Sequence, residues 1–238
     1  MAKDNPARRL LFILEKGKKL SNGDNTKNSW FNLLEIQNRD EQLLFSKLSK
    51  VMNLPSNILE DVKRYHPEHL EICNKSISVI NHALYNQNLS GQWTTFNQHI
   101  SDEIINYIKL FATLLDYEYE TDLIEEMKLD EIRISVNDLI KEVMSLELDI
   151  NFKRYLLSYL KKIIDSIDDY KIMGISPIVE SLEIVLGHNF MDKKFSENIK
   201  ESNLSEKFIN ILEKLNTLID TGNNLSQITN GLMGLLPK

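Results

Sequence analysis

Apolar residues recur along most of the chain at spacings of three and four, the period of a helix face turned toward a core. The longest example begins after Gly91 with Trp93, Phe96, Ile100, Ile104, Tyr107, Phe111 and Leu114, and polar residues fall largely between them. A second runs through Phe152, Leu156, Tyr159, Leu160, Ile163, Ile167 and Tyr170; Gly174 then offers the left-handed backbone that commonly closes a helix. Start and stop signals divide the rest. Asp40 precedes Leu43, Leu44, Leu48 and Val51, and Ser56 precedes Ile58, Leu59, Val62 and Tyr65. His66-Pro67 opens a stretch with Leu70, Cys73, Ile77 and Leu84, and Asp130 precedes Ile132, Val136, Leu139, Val143 and Leu146. Ser176-Pro177 starts a short helix that Gly187 ends, and Ser205 starts one carrying Phe208, Ile211, Leu212 and Leu215 with Gly222 beyond it.

These signals predict an all-α fold, a multi-helix bundle of about nine to eleven mostly antiparallel helices. The one short alternation, Ile132 to Val136, lies inside a helical pattern, and no Asn-Gly turn joins two alternating runs. The chain reads as a single helical domain over residues 1–238, with a weak point for division at the acidic stretch 117–122. The polar stretches Ser21 to Asn28 and His188 to Asn203 read as loops, and residues 223–238 as an apolar C-terminal tail. No period of the solenoid kind is present.

Composition narrows the class. With 238 residues, 42% hydrophobic and 26% charged, the chain can bury a full core. A single cysteine excludes an internal disulfide framework and a cysteine-rich zinc fold. The net charge of −7 argues against a general duplex-binding surface. The apolar run Leu10 to Leu14 is too short for a signal peptide, and no apolar run is long enough to span a membrane. A cytoplasmic protein is the expectation.

The familiar catalytic patterns are missing: no Gly-x-Gly pair, no phosphate-binding Gly-Lys-Ser/Thr, no Gly-x-Ser-x-Gly elbow, no His-Glu-x-x-His and no Glu-x-x-His pair. No cofactor is expected. His66, His69 and Cys73 are potential zinc ligands, but two further ligands would have to come from elsewhere, such as His82 or His99. The simpler reading makes His66 a capping or surface residue and Cys73 a small core residue. Seven cations against three acids give residues 3–27 a charge of +4 and leave −11 on the rest, yet Leu10, Leu11 and Leu14 read as the buried stripe of a packed helix. Carboxylates at Glu125-Glu126, Asp165 and Asp168-Asp169 read as solvated helix faces, and Trp30-Phe31 and the Trp93 stripe as core.

Arg64 and His69 fit the Arg-x4-His spacing of the HEPN ribonucleases, which this chain resembles in that spacing and in helicity. The resemblance implies an arginine holding a scissile phosphate and a histidine transferring a proton. Tyr65 departs from the small polar residue that usually follows the arginine there. The segments Pro6 to Lys19, Leu148 to Leu157 and Asp169 to Gly174 also resemble uncharacterised bacterial all-helical proteins, which implies a bacterial source and no activity.

The tail is distinct. Leu225, Ile228, Leu232, Met233, Leu235 and Leu236 need cover, yet Gly231 and Gly234 make a poor isolated helix. That cover comes from the body of the chain, a second copy or a protein partner. The expected function is a non-enzymatic interaction or regulatory protein in bacteria, in the manner of antiphage-defence or toxin–antitoxin components. A HEPN-like ribonuclease using Arg64 and His69 is the alternative, and RNA binding through residues 3–27 the second.

Overall fold

A computed structural model describes residues 2–219; the tail residues singled out above, Leu225 to Leu236, lie outside them. The described residues form eleven α-helices and two 3-10 turns, with isolated bridges at Lys3–Asp122 and Asn25–Gln92 and no strand among them. The bundle is all-α. Contacts divide it into two compact units, Met1–Asp122 with Lys171–Gly174, and Leu123–Tyr170 with Ile175–Lys238. The first unit's main stretch ends at the last residue of the acidic segment 117–122.

In the first unit, α1 (Pro6–Lys18) begins at an Asn5 cap, whose side chain accepts from the Arg8 amide at 2.9 Å. Pro6 follows at a position where its missing N–H is not needed. The same Asn5 donates through Nδ2 to the Ala112 carbonyl at 3.1 Å and to Asp116 at 2.8 Å. One side chain thus closes the start of α1 and satisfies a carbonyl near the end of α6 (Asp102–Leu115), against which α1 packs. The basic segment is folded into this unit. Arg8 pairs with Asp116, Arg9 with buried Asp4, Lys3 with Asp122, Lys16 with Glu35 and Lys27 with Glu41, while Lys18 donates to the Ile100 carbonyl.

α2 (Thr26–Leu33) delivers fully buried Trp30, whose ring meets Trp93 and Phe96 edge-on, each at 5.3 Å between centroids. The helix expected from Trp93 to Leu114 is two helices. α5 (Thr94–Asn97) ends early, and Ser101 caps α6 by accepting from the Ile104 amide at 3.2 Å. The α6 core face is accordingly Ile104, Ile108, Phe111, Ala112 and Leu115, and Tyr107, partly buried at its edge, donates to Glu103.

The two helices expected at Asp40 and Ser56 are instead one, α3 (Glu41–Tyr65), 25 residues long with Pro55 inside it. Pro55 removes one backbone donor, but buried Val51, Leu54 and Ile58 clamp the helix on both sides of it. α4 (Leu70–Asn86) packs against α3 and α6 and buries Cys73, Ile77, Ile80 and Leu84.

In the second unit, α7 (Glu126–Ser145) starts before the expected Asp130 cap, and Asp130 pairs with Arg133 inside the helix. α8 (Ile150–Met173) buries every residue of the stripe from Phe152 to Tyr170. Burying side chains of this size contributes roughly 1.5–3 kcal/mol each. Gly174 ends α8 at φ +70; a Cβ there would meet the Asp4–Arg9 ion pair within the first unit. α9 (Ser176–Met191) continues through Gly187, where a stop was expected. The expected loop from His188 to Asn203 contains α10 (Lys193–Glu201), capped by Asp192, which accepts from the Phe195 amide at 3.1 Å. α11 (Ser205–Ile219) packs against α7, α9 and α10.

Candidate functional site

Arg64 occupies the last turn of α3, exposed, its guanidinium 5.8 Å from the Tyr65 ring centroid. His69 ends the 3-10 turn Pro67–His69 that leads into α4, and its Nε2 lies 3.8 Å from Glu68. Each residue of this pair has its own local neighbour. The residue most enclosed by charge is His66 between them in sequence, its Nδ1 3.6 Å from Glu68 and its Nε2 3.4 Å from Glu118. Beside it, Tyr119 donates to Asp61 at 2.6 Å. Burial raises the Asp61 carboxyl above its ordinary range despite that bond and nearby Arg64, and burial, then Asp61, raises the Tyr119 phenol.

Cys73 is fully buried, and burial pushes its thiol up to about 11, well away from the reactive thiolate range. His82 and His99 contact each other edge-on at 4.9 Å between ring centroids. Among the described residues no group of three or more His, Cys, Asp or Glu is placed to hold a metal ion.

A different surface was missed in the sequence. Around the outer side of α9, Ser176, Glu180, Glu183, Ile184, Gly187, Phe190 and Met191 follow one another at helical spacing and are all exposed. Phe190 is 86% exposed, Met191 80% and Ile184 42%. Gly187 lies at the middle of this face, and beyond its chain neighbours and its own helix backbone no atom comes within 4 Å of where its Cβ would stand. The face thus carries an open position without a side chain at Gly187, about one turn from exposed Ile184 and from exposed Phe190 and Met191.

The inner side of the same turns is firmly held. The His188 ring packs on Tyr155 at 4.6 Å, Phe195 at 4.7 Å and Tyr159 at 5.5 Å between centroids. Its Nε2 lies 3.4 Å from Asp192, the cap of α10. The face is therefore presented on a braced helix end. The signal in the sequence was the run Ile178 to Met191, apolar on nearly every side, which a helix buried along only one stripe does not need.

Among the described residues no helix is long and apolar enough to cross a membrane. Comparison of the chain with protein-family models, with curated proteins and with solved structures finds no match.

Proposed function

We propose that this chain is a non-enzymatic helical interaction protein of the bacterial cytoplasm that receives an apolar helix or segment of a protein partner on the outer face of α9. The observation that carries the reading is the set of exposed Ile184, Phe190 and Met191 around the open, side-chain-free position at Gly187, on a helix braced from beneath. Isolated exposed apolar residues are ordinary, but a contiguous set around a helix-interior glycine is the form of a surface built for close approach. A docking helix read through anchors at spacings of three and four matches it. A place among antiphage-defence or toxin–antitoxin regulators is in keeping with such a role. The engagement of Lys3, Arg8, Arg9, Lys16, Lys18 and Lys27 inside the first unit leaves little of the basic segment for phosphate contacts, which favours a protein partner over RNA.

The test is capture from host lysate on the full chain and on a Phe190→Glu, Met191→Glu variant. A stoichiometric protein retained by the first and lost from the second supports the reading. Identical captures from both chains, or RNA alone, would overturn it.

A further inference from the structure

We propose that Asn22-Gly23 is a self-modifying turn: the Gly23 backbone nitrogen attacks the Asn22 side-chain amide, leaves aspartate or isoaspartate in its place, and so loosens the backbone that carries Trp93. The pair sits exposed in the first unit, in the tight turn that the Asp24 amide closes on the Ser21 carbonyl at 3.0 Å. Both reacting groups are held. The Gly23 N–H donates to Ser21 Oγ at 3.3 Å, an acceptor placed to draw off the proton as the nitrogen attacks. Asn22 Oδ1 accepts from Nδ2 of buried Asn97 at 2.8 Å, which polarises the carbonyl and stabilises the negative charge that develops on it. Glycine at 23 leaves the approach open: beyond its chain neighbours, a Cβ there would meet only Ser21 Oγ, at 3.8 Å.

The reaction needs water alone. A bond forms between Gly23 N and Asn22 Cγ, the Cγ–Nδ2 bond breaks, and the proton from Gly23 N leaves with the amide as ammonia. Water then opens the cyclic imide. Opening at Cγ gives aspartate. Opening at the Asn22 backbone carbonyl gives isoaspartate, with the chain running through the side chain and one methylene longer. The Asn22 carbonyl accepts from the Thr94 amide at 3.1 Å, and the Asp24 carbonyl from the Trp93 amide at 2.7 Å, so two bonds from this turn hold the backbone at fully buried Trp93. Isoaspartate at 22 takes the first acceptor out of the main chain and shifts the second. Either product also adds a negative charge.

The test is incubation of the full chain at mildly alkaline pH, native and in urea, followed by tryptic mass spectrometry. Cleavage after Lys19 and Lys27 separates the pair from Asn230-Gly231, the other such pair in the sequence. The expected result is the mass gain of amide-to-acid exchange in residues 20–27, forming at least as fast in the native chain as in urea. Ser21→Ala should slow the native reaction by about threefold to tenfold, the weight of one hydrogen bond. Gly23→Ala, a substitution the turn has room for, should slow it further. Converted chain, separated by its added charge, should show red-shifted fluorescence from Trp30 and Trp93, the only tryptophans. Conversion faster in urea than in the native chain, or unaltered by Ser21→Ala, would overturn the proposal. Unchanged fluorescence in chain rich in isoaspartate would overturn the loosening at Trp93.

Discussion

Trp93 donates through its indole nitrogen to the Gly17 carbonyl at 2.9 Å, and its ring edge lies against the Gly17 Cα, so that a Cβ there would stand 3.1 Å from Trp93 Cζ2. Trp93 is fully buried between Trp30 and Phe96 and has no room to retreat. Gly17→Ala gains about 1 kcal/mol of helix propensity but overpacks a filled core, at a cost of roughly 1–3 kcal/mol. A net loss of about 1 kcal/mol is expected, seen as a lower urea midpoint with an unchanged slope.

Gly187→Ala has the opposite sign. The added methyl meets nothing within 4 Å, and the backbone there is ordinary helix. Stability should rise by up to about 1 kcal/mol. Gly187→Leu, which puts a bulky side chain at the centre of the face, should weaken partner capture without unfolding the chain, as checked by circular dichroism and titration of the captured partner.

The Tyr119–Asp61 bond sets a pH dependence. Burial and then Asp61 hold the Tyr119 proton more tightly in the folded chain than in the unfolded one. Above about pH 10, where an unfolded tyrosine ionises, the unfolded state binds fewer protons and stability falls as pH rises. Asp61, also raised, works in the same direction at the acid end, its share of stability growing as pH falls through its folded value. Tyr119→Phe should cost about 1 kcal/mol at neutral pH and flatten the loss of stability between about pH 9 and 11. Unfolding free energies across that window decide the matter.

Arg64→Ala with His69→Ala should leave stability within about 0.5 kcal/mol, because Arg64 is exposed and His69 makes no capping bond. Partner capture should be unchanged, and the purified chain should not cleave RNA. Cleavage that disappears in the double variant would instead establish the HEPN-like reading.

The helices themselves were written in the sequence. The stripe from Phe152 to Tyr170 predicts α8 and Gly174 its stop, and Asp40 predicts the start of α3, because periodicity, capping and left-handed glycine act within a few residues. Whether such signals operate is decided by distant packing. Ser56 reads as the start of a second helix, yet the residues buried on either side hold α3 continuous. Gly187 reads as a stop, yet His188 is gripped by Tyr155, Tyr159 and Phe195, so α9 runs on to Met191. RNA binding through the basic segment is one alternative in the sequence, but the carboxylates that engage that segment lie as far along the chain as Asp116 and Asp122. Local sequence determined the period and the composition of the helices. Tertiary structure alone decided which apolar face was left uncovered, because a side chain's exposure depends on neighbours that one helix's sequence does not contain.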